Sequence, residues 1–144
     1  MNDQNRFFGL SRLVDLRERE VDRLQADLAG KRAMRDRYRT NIERIEQMAH
    51  ESGASGSLPL ALSANCGDYK QAMLDMADSH RQDLGAHEAE TATAQHALAA
   101  AARRKEVLGL VLAQRQKDAQ QASAVRQRKQ DDDLASQVWW RGRK

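Results

Sequence analysis

The sequence predicts an all-α protein in which two long helices of unequal length pair as an antiparallel coiled-coil hairpin. Aromatic residues make up 4% of the 144 residues and charged residues 31%, a composition typical of long helices rather than of sheets or compact cores. Apolar residues recur at alternating spacings of three and four along two long stretches. One segment between these stretches, 51–59, holds the single Pro and a cluster of Gly and Ser, which marks a loop.

The first helix is expected over about residues 8–50. Its coiled-coil seam is interrupted by Arg17, Lys31 and Arg35, whose alkyl stems can lie along the seam while their charged ends reach water. The apolar seam residues are Leu10, Val14, Val21, Leu24, Leu28, Tyr38, Ile42, Ile45 and Ala49. Three or more heptads of this kind indicate a coiled coil.

The loop is expected over about 51–64 and the second helix over about 65–140, so that 1–144 forms a single hairpin domain. Ser63 and Asn65 are plausible N-caps of this helix. Two successive steps of four, on either side of His80, break the heptad and predict local unwinding of the supercoil. The predicted seam comprises Tyr69, Met73, Met76, His80, Leu84, His87, Thr91, Ala94, Leu98, Ala101, Lys105, Leu108 and Leu112.

Pairing of Ala49 with Cys66 predicts the register of the hairpin. It places Leu10 near Lys105, and Phe7 and Phe8 beside the apolar patch 107–112. We expect three leucines near the loop to cover the open end of the core or to dock a partner. They are Leu58, Leu60 and Leu62.

The chain beyond about residue 113 has no partner in this register. We therefore expect this polar overhang to fray in solution and to become ordered on a partner, because an isolated helix gains little from packing.

Charge is distributed unevenly along the chain. The net charge is +2 over residues 1–49, −5 over 50–102 and +6 over 103–144. A hairpin would bring both termini to a basic end and place the acidic segment near the bend, and such an asymmetry orients a protein in the field of a charged partner.

No pattern of residues points to catalysis, so the chain is expected not to be an enzyme and to need no cofactor. The histidines at 50, 80, 87 and 96 lack the i,i+4 spacing of a helical metal site. Consecutive helical residues diverge by about 100°, so Asp131, Asp132 and Asp133 cannot converge on one ion. The polar N-terminus and the lack of an apolar run of about 20 residues favour a cytoplasmic protein without membrane insertion.

Two alternative functions remain open from the residues alone. A basic tail with the pair Trp139 and Trp140 could hold nucleic acid, although three aspartates interrupt it and no nucleic-acid-binding motif is present. Alternatively, two chains could pair along their whole length as a homodimeric scaffold. The favoured interpretation has no nucleic acid partner and uses the tryptophans as interface anchors.

Four local patterns resemble the FliJ family of flagellar export and its YscO-type injectisome counterparts in type III secretion. They are Leu10-x-x-Leu13-x-x-Leu16-Arg17-x-x-Glu20, Tyr38-Arg39-x-Asn41, Asp68-Tyr69-x-Gln71 and Arg126-x-Arg128-Lys129-Gln130-x-Asp132-x-Leu134-Ala135. The resemblance covers most of the chain as a pattern and leaves open which of the two machines the protein serves.

The resemblance implies the central stalk of a secretion ATPase, similar to the coiled-coil γ subunit of rotary ATPases and peripheral to the secretion apparatus. Its terminal end would insert into the ATPase hexamer, and a surface near the bend would bind the cytoplasmic domain of the export gate. Some relatives also hand on export chaperones. The residues expected to bind the ATPase are Phe7, Arg12, Arg126, Arg128, Lys129, Leu134, Trp139 and Trp140. The positions that match the gate-binding surface are Met34, Tyr38, Ala72 and Met76, of which Ala72 departs from the bulky apolar residue usual there.

Overall fold

The computed structural model of the protein describes residues 2–52 and 59–143. These residues form two helices, α1 (Asn2–Glu51) and α2 (Leu60–Arg141), and no strand occurs among them. The helices pack against each other as a hairpin, which confirms the predicted fold class. Their pairing is antiparallel, because ion pairs join Lys31 to Glu90, Arg39 to Glu88 and Glu46 to Arg81.

Contacts divide the chain into two compact units. The first unit comprises Met1–Glu20 and Ala101–Lys144, and the second comprises Val21–Ala100. Each unit contains a segment of both helices.

The buried and half-buried positions of α1 follow the predicted seam without a break. Val21, Leu28, Ile42 and Ala49 are buried. Arg17, Lys31 and Arg35 are half-buried at further positions of the same seam. The intrusion of cations into the seam is therefore confirmed, and the exposed ends of their side chains form ion pairs such as Lys31–Glu90, with 3.5 Å between Nζ and Oε2.

The seam of α2 differs from the prediction at its start. Tyr69 and Met76 are 52% and 53% exposed, whereas Ala77 is fully buried. The row that turns inward alternates by three and four throughout, so the predicted break in the heptad around His80 is wrong. It comprises Ser63, Cys66, Lys70, Met73, Ala77, His80, Leu84, His87, Thr91, Ala94, Leu98, Ala101, Lys105, Leu108 and Leu112.

The register is offset from the prediction by one heptad. In the second unit the ring of Tyr38 lies between His80 and His87, with ring centroids 5.5 and 4.8 Å apart. Tyr38 is therefore level with Leu84, seven residues beyond the Ala77 that the predicted register places opposite it. The prediction assumed that the helices pair from the first turns of α2. In the observed register the end of α1 at Glu51 is level with about residue 71, so about three turns of α2 precede the paired region.

Side-chain volumes are complementary along part of the observed register. With Tyr38 level with Leu84, Leu28 comes level with Ala94, Ile45 with Ala77 and Ala49 with Met73, whereas Leu24 and Leu98 are both large. Alternation of large and small residues across a helix pair fills the space between the helices at close approach. The predicted register would instead set Ala49 against Cys66 and leave space between two small side chains.

The first unit shows the same offset independently. The ammonium group of Lys105 lies 2.7 Å from Oε1 of Glu18, whereas the predicted register placed Lys105 beside Leu10, about 12 Å earlier along α1. The Lys105 ammonium donates a hydrogen bond to the Glu18 carboxylate and attracts its charge, and both effects lower the pKa of Glu18 below its ordinary value of 4.5.

Replacement Glu18→Gln is expected to remove a pH-dependent part of the stability. A carboxylate whose pKa is lowered in the folded state stabilises it above the unfolded pKa, and this contribution disappears as the pH falls through the folded pKa. The wild-type protein should therefore melt slightly above the variant at neutral pH, and the two melting temperatures should converge as the pH falls below 4.5 and through the lower pKa of the folded state. The difference should be small, because the pair is exposed.

The control for this experiment is the same replacement in a Lys105→Gln background. There the Glu18→Gln change should have no pH-dependent effect, because the partner cation is gone. Thermal denaturation across the acid range measures both pairs, and a wild-type advantage that does not change with pH would contradict the assignment.

The start of α2 lies earlier than the expected position near residue 65. The Ser63 N–H donates to the Pro59 carbonyl at 3.0 Å, so Pro59 rather than Ser63 or Asn65 precedes the first turn, as the fixed φ of proline favours. Leu60 and Leu62 are exposed, so they do not cover the end of the core. Leu58 lies outside the described residues.

Candidate partner-binding surfaces

The C-terminal part of α2 extends past the start of α1, because Asn2 comes level with about residue 121 when Glu18 contacts Lys105. Every described residue from 113 to 143 is exposed, and α2 nevertheless continues as regular helix to Arg141. Residues such as Ala, Gln, Arg and Lys favour helix intrinsically, which accounts for the regular helix of this segment, and its fraying in solution stays a prediction. The register shift moves the start of the predicted overhang from about residue 113 to about residue 121.

The predicted ATPase-binding residues of the tail all lie on this exposed helix. Arg126, Arg128, Lys129 and Leu134 are exposed. Trp139 and Trp140 are 57% and 68% exposed and pack edge to face, with centroids 5.5 Å apart. The guanidinium of Arg143 lies 4.5 Å from the ring centroid of Trp139. Two exposed indoles beside a cation are the residue types that most often anchor interfaces.

Phe7 and Arg12 do not join the tryptophans. Phe7 is half-buried, and Arg12 is exposed with its guanidinium 5.6 Å from the Phe8 ring centroid. Phe7 lies eleven residues before Glu18, and Glu18 contacts Lys105, so Phe7 is level with about residue 116. Trp139 is a further 23 residues along α2, or about 35 Å at 1.5 Å per residue. The predicted set therefore consists of two separate patches within the first unit.

The predicted gate-binding residues lie in the second unit and differ in accessibility. Met34, Ala72 and Met76 are exposed. Tyr38 is half-buried because its ring packs between His80 and His87. Tyr38 is level with Leu84, so Met76 lies eight residues, or about 12 Å, from that level along α2. Met34 lies one turn further from Met76 along α1.

Four apolar residues near the loop are exposed, and two of them, Met48 and Tyr69, were not predicted to bind a partner. They share one feature, which is that each comes directly before a seam residue on its helix. We call them the loop-proximal face: Met48, Leu62, Tyr69 and Met76. An unbroken alternation of three and four through Ala77 would have moved Tyr69 and Met76 out of the seam and revealed this face.

The remaining chemistry-bearing residues serve packing. His80 and His87 contact Tyr38, and buried Thr91 donates its hydroxyl to the His87 carbonyl at 2.7 Å. Cys66 is a free, half-buried thiol in the seam. Within residues 2–52 and 59–143, no group of three or more His, Cys, Asp or Glu side chains could hold a metal ion.

Neither α1 nor α2 contains an apolar stretch long enough to cross a bilayer.

Comparison with known proteins identifies a family. No curated protein and no solved structure matches the chain. The family described as "Flagellar FliJ protein" matches residues 7–144. Since this match covers nearly the whole sequence, the chain belongs to the FliJ family of flagellar export proteins.

Proposed function

We propose that the protein is the central stalk of a type III export ATPase in the flagellar system. Its tail inserts into the ATPase hexamer, and the second unit contacts the cytoplasmic domain of an export-gate membrane protein. The observation that carries the proposal is the exposure of every described residue of α2 from 113 onwards, together with the extension of this helix to Arg141, past the level at which α1 begins. An exposed helix that extends past its partner and has two tryptophans near its end is suited to insertion into another protein.

The dimensions and charge of the tail suit the pore of a ring. A helix has a diameter of about 10–12 Å with its side chains, and residues 113–141 extend about 43 Å. The tail carries Arg126, Arg128 and Lys129 before three aspartates, and it ends in Arg141 and Arg143. A pore lined by carboxylates would attract these cations, while Leu134 and the two tryptophans would supply apolar anchors. Phe7 and Arg12 would meet the ATPase nearer the mouth of the pore.

The gate contact is proposed for the exposed side of the second unit. Met34 and Met76 offer flexible apolar side chains that adapt to a partner surface. Ala72 contributes little area, so we expect Met76 and its neighbours Met48 and Tyr69 to supply most of the contact. Tyr38 supports this surface from within the seam and contributes only the edge of its ring.

Location and other partners follow from the same proposal. The protein acts in the cytoplasm, peripheral to the export apparatus and without insertion into the membrane. Export chaperones are a further class of partner to which the family connection extends. Nucleic acid is not among the proposed partners, because Asp131, Asp132 and Asp133 are exposed between the basic clusters and would repel phosphates.

The test of the two-surface arrangement is the variant Met76→Asp, measured in two assays. Binding to the purified cytoplasmic domain of the gate protein should weaken by about tenfold or more, because a buried contact would gain an unpaired charge. Stimulation of the ATPase should stay at the wild-type level, because the tail is unchanged. Gln82→Asp is the matched control on the same helix, and it should leave both readouts unchanged. Loss of stimulation with intact gate binding would contradict the arrangement.

A further inference from the structure

Exposed apolar residues form a second surface in the first unit, separate from the tail. Leu16 and Val107 are each 59% exposed, and Leu13 and Val111 are exposed at 38% and 41%. These four residues lie outside the seam, which in this unit passes through Leu10, Val14, Leu108 and Leu112. We call Leu13, Leu16, Val107 and Val111 the terminal stripe.

Heptad geometry puts the terminal stripe on one side of the helix pair. In the second unit, Asp27 and Ala97 each come directly before a seam residue, and both line one groove of about 410 Å³. Positions before seam residues therefore share a side in this antiparallel pair. Leu13 comes directly before Val14, and Val111 directly before Leu112. Leu16 and Val107 lie one turn from them on the same side.

Cations border the terminal stripe. On α1, Leu13 and Leu16 line a surface depression of about 350 Å³ together with Gly9, Arg12, Arg19 and one acid, Asp15. Gly9 has open space where a side chain would be, which leaves room for an approaching helix. On α2, Arg104 comes directly before a seam residue, as Val107 and Val111 do, and Arg103 and Lys117 are further cations nearby. Glu106 is the carboxylate of residues 103–117, and it comes directly after the seam residue Lys105, on the opposite side of the helix.

The carboxylate of Glu20 on this side is engaged within the chain. One of its oxygens lies 2.7 Å from Nη1 of Arg17. The charge available to a partner is therefore mainly positive around an apolar centre.

We propose that the terminal stripe docks an amphipathic helix of a partner protein, in which a row of apolar residues is flanked by Asp and Glu. The partner helix would lie beside α1 and α2 as a third strand, with its apolar row on the stripe and its carboxylates facing the bordering cations. A second copy of this chain would present the same cations to the same surface, and like charges oppose that pairing. The proposal goes beyond the stalk function, because none of the four stripe residues is assigned to the ATPase or the gate; Arg12, which borders the stripe, is the one residue that both surfaces use.

The probe for this surface is a synthetic helical peptide of about three heptads with Leu at two positions of each heptad and Glu at the flanking ones. The control peptide has the same sequence with Lys in place of Glu. Fluorescence anisotropy with the full-length protein is expected to detect binding of the Glu peptide, weakening as the salt concentration rises. The Lys peptide is expected not to bind.

Two sets of variants locate the site. Leu16→Glu combined with Val107→Glu should weaken binding of the Glu peptide by about tenfold or more, because both substitutions put like charge at the centre of the contact. Val125→Glu makes the same kind of change at an exposed valine of α2 outside the stripe and should leave binding unchanged. Arg19→Glu combined with Arg103→Glu should reverse the preference towards the Lys peptide.

The results that would overturn the proposal are distinct. Equal binding of both peptides would show that charge does not select the partner. Equal effects of Val125→Glu and of the stripe variant would show that the peptide binds elsewhere. Sedimentation analysis that finds dimers of the wild type, lost in the stripe variant, would assign the surface to a second copy of this chain. Circular dichroism establishes that each variant retains its helix content.

Discussion

Removal of residues 126–144 is expected to abolish both binding to the export ATPase hexamer and stimulation of its turnover. The deletion removes the basic cluster at 126–129 and the tryptophan pair, which together supply the charge and the apolar anchors of the proposed contact. It removes only the last 16 residues of α2, none of which is buried. The thermal stability of the hairpin should therefore stay close to that of the full chain, and most of the helicity should remain. Sedimentation with the hexamer and a phosphate-release assay measure the two losses.

Substitutions within the full-length tail separate the two contributions. Trp139→Ala with Trp140→Ala should weaken binding by about 2 kcal/mol or more if the indoles are interface anchors. Replacement of Asp131, Asp132 and Asp133 by Asn is the matched control. It changes the same helix but raises the net positive charge, so binding should be retained or strengthened. Undiminished stimulation by the truncated chain would contradict the assignment of the tail.

Ala77→Asp is expected to be among the most destabilising single substitutions in the chain. Ala77 is fully buried where α1 and α2 meet, so an aspartate there would bring an unpaired charge into the seam opposite Ile45. The loss should be about 3 kcal/mol or more in the free energy of unfolding, measured by urea denaturation.

The neighbouring residue gives the control for this prediction. Met76 is 53% exposed, so Met76→Asp should change the free energy of unfolding by about 0.5 kcal/mol or less. The two substitutions introduce the same side chain at adjacent positions of one helix and differ only in the side they face. A larger loss from Met76→Asp than from Ala77→Asp would restore the seam that the sequence pattern first indicated and would displace Ala77 from the interface.

The helices themselves could be predicted because their signals are local. Heptad spacing along residues 10–49 and the Gly, Ser and Pro cluster identify two helices and a loop without knowledge of any tertiary contact. The predicted start of α2 was several residues too late, because Ser63 and Asn65 are favourable N-caps. The helix begins at Leu60, directly after Pro59, whose fixed φ is compatible with a helix start.

The register could not be obtained by the criterion used, because a heptad repeat fits equally well after a shift of seven residues. Contacts between the helices distinguish the alternatives, such as the ion pair of Lys105 with Glu18, and the heptad pattern of either helix does not contain them. Preference for large apolar residues at seam positions misplaced Met76 and Tyr69 for the same reason. A small buried residue such as Ala77 carries little hydrophobic signal, although it permits the helices to approach.

Prediction of the candidate surfaces followed the same division. The exposed tail could be found from composition, since Arg128, Lys129 and the tryptophans are recognisable without a register. The loop-proximal face and the terminal stripe could not, because exposure of Tyr69 or Val107 depends on which neighbouring residue turns inward. Which residue turns inward depends on how the two helices pack, and the sequence of one helix alone does not determine it.

The part of α2 beyond about residue 121 has an energetic consequence. Its backbone hydrogen bonds are local and its described residues are all exposed, so it can unwind and re-form without disturbing the packed seam. The paired part of the two helices and the tail are thus expected to unfold separately, although α2 runs through both. A partner can bend, grip or release the distal unit while the proximal one retains its full resistance to unfolding.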